Sequence, residues 1–464
     1  MVFSTGCLNQ ASFEESCCLR YTGGVLKPKT MKILLVGNGA REHILATKLA
    51  DSPKCDELLV FASAVNPGIK KLASVYEVGN INDPEAIRAF AEANKPDFAV
   101  IGPENPIAAG VVDALKEAGI PSASPIQKQG QLESSKGFTR ELLKKYAIPG
   151  NPEFKVFESA DGLLEYAKSL GEFVVKADGL HGGKGVLVQG DHFNTAEEGA
   201  EVAEKFIESD GHVVIEEKFV GQEFSLMSFC DGEHVADMPP IQDHKRAFEG
   251  DTGPNTGGMG TYNYPANLPF LKDSDLTEAH EITVQVAKAL KEELGSPFVG
   301  IMYGGFIATK NGARLIEYNA RFGDPEAMNA LTLLKTDLVD ICQAMINGTL
   351  DQLEVRFSNK ATVCKYVVPE GYPSSPVKGE KIEIGDLPEG VSYYLASVDG
   401  REDGLYMLGS RAIAFVGTGD TIEEAEQLAQ KGVEAVSGPV FYRKDIGTKA
   451  LIDKRIEMMK ELRG

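Results

Sequence analysis

The chain has 464 residues, of which 43% are hydrophobic and 25% are charged, and its formal net charge is -21. A chain of this size and composition predicts a soluble protein of roughly three domains. The negative charge excludes nucleic acids and anionic membranes as expected partners, because both select for basic protein surfaces. No apolar run is long enough to span a bilayer. An anionic ligand therefore requires a local basic pocket.

The cysteines and the first 30 residues indicate the compartment in which the protein works. Seven cysteines without CxxC spacing favour reduced thiols in the cytoplasm over a zinc site or a disulfide framework. Residues 1–30 lack the apolar core of a secretory signal, and Glu14 and Glu15 are atypical of a transit peptide. We predict a disordered extension over these residues.

Strand and helix patterns alternate through residues 31–131. Short apolar runs rich in β-branched residues are each followed by a stretch of helical pattern. This alternation predicts a doubly wound α/β domain with a parallel sheet. The predicted strands cover 31–36, 58–61, 74–78 and 98–101, and the predicted helices cover 44–51, 84–94 and 107–118.

The turn after the first strand matches only half of a dinucleotide-binding fingerprint. Gly37 and Gly39 fit it, but Glu42 stands where the third glycine is required, so we expect no nicotinamide or flavin cofactor. The following helix N-terminus, beside Asn38 and Arg41, offers N–H groups to a monophosphate or a carboxylate. A turn that only packs the strand against the helix is the alternative.

A second loop, Gly102 to Asn105, leaves the carboxyl end of a predicted strand, where parallel sheets bind ligands. Glu104 in this loop is either a ligand contact or a cap of the next helix. The composition then changes to that of a polar helix over 136–146. We place the boundary between the first and second domains at 131/132.

A glycine-rich hairpin marks the second domain, which we predict to cover 132–354. Gly182 and Gly183 let backbone N–H groups approach an anion, and Lys176 and Lys184 add positive charge on both sides. The pattern favours a polyphosphate ligand, with an ordinary hairpin carrying solvated lysines as the alternative. It is not a P-loop, because the glycines lead into a strand and not into a helix.

Two further segments of this domain are candidates for nucleotide and anion contacts. Residues 216–219 follow a predicted strand and offer extended backbone groups to the edge of adenine, while Glu223 can accept hydrogen bonds from ribose hydroxyls. Solvated acidic strand ends are the alternative. Residues 251–260 are dense in glycine, too irregular for regular structure and typical of a lid or binding loop. Lys245 and Arg246 beside them are candidate anion contacts.

The segment from Arg314 to Glu326 carries the pattern most specific for chemistry. Glu317 and Asn319 are two residues apart in a predicted strand and therefore share one face, with Arg321 two residues further on. A carboxylate beside an amide oxygen suits Mg²⁺, which keeps several waters and binds nucleotide phosphates. The alternative is an acid and an amide on an exposed strand edge. The apolar neighbours disfavour it, because they imply partial burial, and a buried Glu needs a partner.

The last region, which we predict to cover 355–464, is rich in strand patterns and contains one long helix pattern over 421–436. It indicates a small, strand-rich α+β domain. Ser410, Arg411 and residues 442–445 are either structural ion pairs or the far wall of a substrate pocket. The predicted strands cover 361–368, 391–397, 406–408 and 411–416.

The motifs together resemble a known family. The chain contains, in this order, the stretches KADGLHGGKGV, VIEEKFVGQEFSL, MPPIQDHKR, DTGPNTGGMG and IEYNARFGDPE, and their assembly resembles an ATP-grasp enzyme. The resemblance is narrowed to the phosphoribosylamine–glycine ligases, or glycinamide ribonucleotide synthetases, by VGNGAREH, IGPENP and FYRKDIG. It covers the chain from Met31 almost to its end.

The resemblance implies a central ATP-grasp domain and a reaction of ATP, glycine and 5-phosphoribosylamine. The products are ADP, phosphate and glycinamide ribonucleotide, in an early step of purine biosynthesis. The family pattern places Lys136 and Lys176 on the ATP phosphates, and it places Glu317 and Asn319 on Mg²⁺ (or Mn²⁺).

The same resemblance assigns the nucleoside contacts. It places Glu223 on the ribose. This chain departs from the family pattern at His181, where a small residue is usual. Lys218 is a second departure, because that position is commonly apolar. The adenine contacts implied are Glu216, Glu217, Lys218 and Phe219.

The expected chemistry is the activation of a carboxylate. Glycine takes the γ-phosphoryl group of ATP to become an acyl phosphate, and the amine then displaces phosphate. Neither step needs a protein nucleophile, so positioning and charge neutralisation by Lys176 and Arg321 accelerate phosphoryl transfer. We assign Arg321 to the acyl-phosphate oxygens. The residues assigned to substrates are Asn38, Arg41, Glu104, Asp243, Lys245, Gly258 and Asp324.

Two other functions stay open on the sequence. One is a different ATP-grasp ligase or a carboxylase, which would use bicarbonate. The other is a nucleotide-binding regulator without catalytic activity. In each case we expect small molecules as partners and a monomeric protein in the cytoplasm.

Overall fold

The structure of the protein, a computed structural model, describes residues 30–182 and 184–464. The predicted N-terminal extension, apart from Thr30, lies outside these residues, as does Gly183. The first region consists of β1 (Met31–Val36), α1 (Ala40–Ala50), β2 (Cys55–Ala62), α2 (Pro67–Leu72), β3 (Val75–Val78), α3 (Pro84–Asn94), β4 (Phe98–Ile101), α4 (Glu104–Ala108), α5 (Val111–Glu117) and α6 (Gln127–Ser134).

The first four strands form a parallel sheet in the order β3-β2-β1-β4, as predicted for a doubly wound domain. These strands are apolar on both faces because both faces are covered. Ile33 and Leu35 of β1 pack in one hydrophobic cluster, and Leu34 and Val36 pack in another. Since β1 and β4 are neighbours, the loops that follow Val36 and Ile101 meet at one edge of the sheet.

Two helices of this region differ from the prediction. Helix α1 begins at Ala40 and not at residue 44, because Glu42 Oε2 accepts a hydrogen bond from the backbone N–H of Gly39 at 2.6 Å. The Glu42 side chain fills the space beside Gly102, where the third glycine of the fingerprint is missing. The predicted helix over 107–118 is divided into α4 and α5 by Gly110, which has a φ of 88°.

The second region contains two four-stranded sheets and the longest helix of the described chain. Its elements are α7 (Lys136–Lys145), β5 (Phe154–Phe157), α8 (Leu163–Leu170), β6 (Phe173–Ala177), β7 (Val186–Val188), α9 (Ala196–Asp210), β8 (Val213–Glu217), β9 (Gly221–Cys230), β10 (Val235–Asp237), β11 (Gln242–Asp243), β12 (Arg246–Phe248), β13 (Thr252–Asn255), β14 (Gly260–Asn263), α10 (Asp273–Leu294), β15 (Gly300–Thr309), β16 (Gly312–Asn319), α11 (Glu326–Leu333) and α12 (Leu338–Asn347).

The two sheets have the strand orders β5-β8-β6-β7 and β10-β9-β15-β16, and all their pairs are antiparallel. The predicted glycine hairpin is present, with Lys176 of β6 opposite Val186 of β7. In the second sheet, Gly305 of β15 lies opposite Glu317 and the next residue, Phe306, lies opposite Leu315. Ile316 is therefore an extra residue on β16, as in a β-bulge.

The third region is strand-rich, as predicted. Its elements are a 3₁₀ turn (Leu350–Gln352), β17 (Ala361–Pro369), β18 (Lys381–Ile384), β19 (Val391–Leu395), β20 (Val398–Arg401), β21 (Gly404–Met407), β22 (Ile413–Gly419), α13 (Ile422–Glu434), β23 (Val436–Ser437), β24 (Val440–Phe441) and α14 (Lys449–Arg463).

The main sheet of the third region includes strands from the second. Its order is β11-β14-β17-β22-β19, with β24 also paired to β17. Gly260 and Asn263 of β14 pair with Lys365 and Thr362 of β17, across the boundary predicted at 354/355. Local sequence patterns do not predict this pairing, because it joins two strands that are far apart in the chain.

The glycine-dense stretch is more regular than predicted. Residues 246–255 form a short antiparallel hairpin of β12 and β13, with Arg246 opposite Asn255 and Phe248 opposite Thr252. Asp251, at the turn, has a positive φ of 56°, a conformation that Asp tolerates better than most residues. Among residues 30–182 and 184–464, no helix combines the length and apolar character needed to cross a bilayer.

Candidate active site

The glycine hairpin and the acid–amide strand meet at one place. Lys176 lies at the end of β6, and its Nζ donates a hydrogen bond to the backbone oxygen of Ile316 at 2.8 Å. Ile316 immediately precedes Glu317 on β16. The two elements on which the phosphate-site prediction depends therefore face the same space, although they are far apart in sequence.

Glu317 lies among several positively charged side chains at this place. Burial alone would raise the pKa of its carboxyl group, but Lys245, Lys176 and Lys136 lower that pKa to about 2. Arg321 acts in the same direction. Glu317 is thus an ionised carboxylate surrounded by cations, and an anion of higher charge, such as a triphosphate, can replace it as their partner.

Lys176 is held by a buried ion cluster that the sequence did not reveal. Its Nζ forms an ion pair with Glu216, whose other oxygen lies 2.7 Å from Nε of Arg140. All three side chains are at most 5% exposed. Burial lowers the pKa of Lys176 against the opposing effect of Glu216. Arg140 follows Lys136 by four residues on α7, a helical spacing that could have linked these two cations.

The glycine loop is held on one side by Lys136. Lys136 Nζ donates a hydrogen bond to the backbone oxygen of Gly179 at 2.9 Å. His181, a departure from the family pattern, has its Nε2 3.1 Å from Asp210 Oδ2. Gly182 and Lys184 are exposed, and Gly182 has a positive φ of 55°. Gly182 and Lys184 are therefore open to a ligand, while Gly183 is outside the described residues.

The four side chains of the segment predicted to contact adenine have different surroundings. The Glu216 carboxylate points into the ion cluster, and that of Glu217 accepts a hydrogen bond from the backbone of Glu153 at 2.9 Å. Lys218 Nζ donates to the backbone oxygen of Gln189 at 2.9 Å, and Phe219 is half-buried. The adenine assignment for this segment stays a prediction, and the structure gives Glu216 a second role.

Two oxygen ligands on β16 fit a hard cation. Glu317 and Asn319 point to one side of the strand, and Asn319 Oδ1 accepts a hydrogen bond from Arg321 Nη2 at 3.1 Å. Arg321 Nη2 also lies 2.8 Å from Glu133, a buried partner missed on the sequence. Within the described chain no group of three or more His, Cys, Asp and Glu side chains could hold a metal ion. One carboxylate and one amide fit Mg²⁺, whose remaining ligands are waters and phosphate oxygens.

A small central pocket opens beside this strand. It is lined by Glu223, Asp243, Lys245, Tyr303 and Glu317, among others. Lys245 Nζ lies 3.7 Å from Glu317 and 3.9 Å from Glu223, so one lysine bridges the predicted metal ligand and the predicted ribose contact. Burial would lower the pKa of Lys245, but Glu317 and Glu223 raise it, which keeps the ammonium charged.

An acidic pair, Asp243 and Glu326, lies at the central pocket, and Asp243 is one of the lining residues. Burial and the neighbouring Glu326 raise the pKa of Asp243 well above its usual range. Glu326 Oε1 accepts hydrogen bonds from Tyr303 and from Ser225, the latter at 3.2 Å. Gly258 lies against Asp243, and a Cβ at this position would be 2.8 Å from its carboxylate. An ammonium group entering the pocket would stabilise the ionised form of Asp243.

Arg41 and Glu104, predicted from two separate loops, meet at Arg321. Arg321 Nε lies 3.3 Å from Glu104 Oε2, and Arg41 Nη1 lies 3.8 Å from the same oxygen. Arg41 is buried, and its Nε pairs with Glu42 at 2.6 Å. Burial would raise the pKa of Glu104, but Arg321 and Arg41 lower it to about 2. These side chains join the first region to the second beside the acid–amide strand.

An inter-domain cleft of about 780 Å³ lies between the first and third regions. It is lined by Asn38, Val65, Asp324, Leu408 and Arg411, among others. Asn38 Oδ1 accepts a hydrogen bond from the hydroxyl of Ser63 at 2.8 Å. The cleft brings the predicted substrate residues Asn38 and Asp324 together, whereas Asp243, Lys245 and Gly258 belong to the central pocket or its wall.

Comparisons with known proteins agree with this geometry. Residues 31–133, 134–327 and 362–449 match the family models for the N domain, the ATP-grasp (A) domain and the C domain of phosphoribosylglycinamide synthetase. The phosphoribosylamine–glycine ligase of Methanocella arvoryzae is 45% identical over 435 residues, covering 94% of this chain and 100% of that protein.

Solved structures show the same relation. The phosphoribosylamine–glycine ligase of Thermotoga maritima is similar with a TM-score of 0.75 and 28% identity, covering 89% of this chain and 99% of that chain. A biotin carboxylase of Campylobacter jejuni shares the fold alone, with a TM-score of 0.68 and 15% identity over 93% of this chain and 96% of that chain. This chain belongs to the phosphoribosylamine–glycine ligase family.

Proposed function

We propose that this protein is an ATP-dependent ligase that joins glycine to 5-phosphoribosylamine and yields glycinamide ribonucleotide, ADP and phosphate in de novo purine biosynthesis. The family and its ATP-grasp domain support this reaction. The observation that carries the site assignment is the contact of Lys176 Nζ with the backbone of Ile316 at 2.8 Å. It places the glycine hairpin beside Glu317, so that one triphosphate can contact both.

We assign the nucleotide to the space between the two central sheets. Its phosphates contact Lys136, Lys176 and the loop residues Gly182, Gly183 and Lys184. The adenine lies against residues 216–219, and Glu223 accepts hydrogen bonds from the ribose. The buried ion cluster supports this assignment, because Glu216 and the backbone of Ile316 fix the Lys176 ammonium before ATP arrives.

Glu317 and Asn319 are the proposed ligands of Mg²⁺ (or Mn²⁺), which when bound neutralises charge on the transferring phosphoryl group. The pKa of Glu317, lowered to about 2 by the lysines despite its burial, keeps this ligand ionised at neutral pH. Lys245 and Arg321 lie beside the two ligand oxygens and compensate the carboxylate in the free protein.

In the first step, a glycine carboxylate oxygen attacks the γ-phosphorus of ATP, and the bond to the β-phosphate oxygen breaks to release ADP. Arg321 and Lys176 stabilise the charge on the phosphoryl oxygens. We assign the glycine to the central pocket, with its ammonium group at Asp243 and its carboxylate towards Lys245. Gly258 leaves room for it, since a side chain there would collide with Asp243.

In the second step, the amine of phosphoribosylamine attacks the carbonyl carbon of glycyl phosphate. The carbon–oxygen bond to phosphate breaks, and the departing phosphate takes up the proton of the amine. We place this substrate in the inter-domain cleft, in contact with Asn38 and Asp324. Arg41 and Glu104 hold Arg321 at the junction of the cleft and the central pocket.

The test is ADP release measured with each substrate omitted in turn. We expect release to require glycine and, for sustained turnover, phosphoribosylamine. ADP release that depends on bicarbonate and not on glycine would instead identify a carboxylase. ATP binding without glycine-dependent hydrolysis would identify a regulator. The shared fold of biotin carboxylase makes the first of these controls necessary.

The oligomeric state and the compartment are also part of the proposal. We propose a monomer in the cytoplasm, supported by Cys230, Cys342 and Cys364, which are free and buried. Light scattering after gel filtration would give a mass near the 50.0 kDa of one chain. A mass of twice that value would reject the monomer.

A further inference from the structure

Arg411 contacts two segments that lie beside the central pocket and the inter-domain cleft, and these segments are the wall between the two sites. It precedes β22 in the third region, yet its side chain reaches two turns of the second. Its Nη1 donates to the backbone oxygens of Gly257 at 2.7 Å and of Gly258 at 2.9 Å. The same nitrogen lies 3.1 Å from the backbone oxygen of Asp324. One guanidinium group therefore ties the glycine-dense stretch to the turn before α11.

Arg411 also orients the carboxylate of Asp324. Its Nη2 lies 3.2 Å from Asp324 Oδ2. The other oxygen, Oδ1, accepts a hydrogen bond from the hydroxyl of Tyr366 at 2.6 Å. The guanidinium carbon of Arg411 lies 4.4 Å from the centre of the Tyr366 ring, so the two partners of Asp324 also stack on each other. Asp324 is thus fixed at both oxygens.

The positions held by Arg411 belong to both candidate sites. Gly258 lies against Asp243 of the central pocket, at a distance that admits no side chain. Asp324 and Arg411 themselves line the inter-domain cleft. The side chain of Arg411 is 15% exposed, which leaves it accessible from the cleft only at its edge. A substitution of Arg411 would therefore displace Gly258 at the central pocket and Asp324 at the inter-domain cleft.

We propose that Arg411 is a positioning residue of the amine-transfer step, acting through Asp324 and the Gly257–Gly258 turn to align the two sites. This inference rests on the proposed function. When Arg411 holds the two sites in alignment, the glycyl phosphate formed in the central pocket meets the amine bound in the inter-domain cleft. When the wall is displaced, water attacks the same carbonyl carbon and returns glycine and phosphate, so that ATP is consumed without product.

The test compares ADP released with glycinamide ribonucleotide formed in wild type, Arg411→Gln and Tyr366→Phe. In wild type we expect a ratio near one. Arg411→Gln should raise the ratio to ~2 or more and raise the KM for phosphoribosylamine by ~10-fold or more, since a small misplacement of reacting groups is costly. Tyr366→Phe keeps the ring but frees Asp324 Oδ1, and it should change both quantities in the same direction by a smaller factor.

The ratio of products is independent of how much of a variant is folded, so partial loss of stability does not mimic the effect. Arg401 provides a matched control in the same region, because it also stacks on a tyrosine, Tyr406, at 3.9 Å and pairs with an acid, Asp399, at 3.0 Å. Arg401→Gln should leave the ratio and the KM unchanged.

The outcomes separate the two levels of the proposal. A ratio of one and an unchanged KM in both Arg411→Gln and Tyr366→Phe would overturn the positioning role and leave the ligase activity intact. An equal change in Arg401→Gln would also overturn it, because the effect would then not be specific to the wall. Wild-type protein without glycine-dependent ADP release would reject the proposed function itself.

Discussion

The central pocket and the inter-domain cleft are built on different principles. Charged side chains at and beside the central pocket are paired: Lys176 and Glu216 form a buried pair nearby, and Lys245 and Glu317, which line the pocket, form a partly exposed one. The inter-domain cleft has Val65 and Leu408 among its walls, two of the exposed large hydrophobic residues of the described chain, and its charged pair is Asp324 with Arg411. The first site concentrates charge, and the second is formed where separate regions meet.

The difference agrees with the function proposed for each site. Phosphoryl transfer needs fixed charges at the transferring group, and these are effective only when they are already in place. Binding of a second substrate needs a shape that two regions can form together. We therefore expect substitutions in the central pocket to affect folding or turnover, and changes at the cleft to affect how the regions fit together.

The largest effect is expected for Glu216→Gln. This change leaves Arg140 and Lys176 as buried cations without a counter-charge, which costs about 3–5 kcal/mol of unfolding free energy. Urea denaturation of wild type and variant measures the loss. Glu172→Gln, which removes a surface ion pair with Lys218, is the control and should change the stability little. Equal stabilities of Glu216→Gln and wild type would show that the ion cluster does not support the central pocket.

A strong effect on turnover is expected for Glu317→Gln. The substitution removes the ionised oxygen ligand and should lower kcat by about 100- to 1,000-fold while raising the Mg²⁺ concentration needed for half-maximal rate. Steady-state rates over a Mg²⁺ titration measure both. Glu278 bonds the backbone of Ala313, near the start of the same strand, at 2.7 Å, so Glu278→Gln serves as the control. Wild-type metal dependence in Glu317→Gln would contradict the ligand assignment.

The smallest effect concerns acid sensitivity where the first and third regions meet. His43 Nδ1 accepts a hydrogen bond from the backbone N–H of Leu395 at 2.9 Å, and burial lowers the pKa of this histidine to about 4. Below pH 6.5 the unfolded chain takes up a proton that the folded chain does not. Stability therefore falls between pH 6.5 and pH 4, by roughly 1.4 kcal/mol at pH 5.5 for this group.

His43→Asn keeps a hydrogen-bond acceptor and removes the titration, so its stability should fall less than that of wild type between pH 7.5 and 5.5. The measurement is the free energy of unfolding in urea at the two pH values. His280 is a control whose contribution to stability has the opposite pH dependence. Its hydrogen bond to Asp237 at 2.8 Å raises its pKa, so it stabilises the fold at low pH. Identical pH dependence of His43→Asn and wild type would remove His43 as the cause.

Local patterns in the sequence predicted the parts of the fold that depend on neighbouring residues. The strand at 98–101 and the helix at 84–94 have the predicted bounds, because apolar runs, Asp83 as N-cap and a proline at the first turn act locally. The shared face of Glu317 and Asn319 follows from strand alternation alone. The predicted hairpin around Lys176 is present because the apolar, β-branched runs on both sides of its glycines form paired strands.

Contacts between distant residues could not be predicted in this way. Glu216 was assigned to adenine, and its pairing with Arg140 and Lys176 depends on how two sheets and α7 pack. Residues 251–260 were expected to be irregular, but residues 252–255 pair with residues 246–248 in a hairpin that the glycines did not reveal. The contacts of Arg411 were not predicted either, because its hydrogen-bond partners lie 87 and more residues earlier in the chain.

The pairing of β14 with β17 has a consequence for protein engineering. A fragment ending at residue 354 would lack β17 and would expose the backbone N–H and C=O groups of residues 260–263 along an open sheet edge. Such an edge recruits other chains, so the truncated protein should self-associate instead of yielding an independent ATP-grasp domain. Fusion partners are better attached after α14, because a connection behind this helix cuts no sheet.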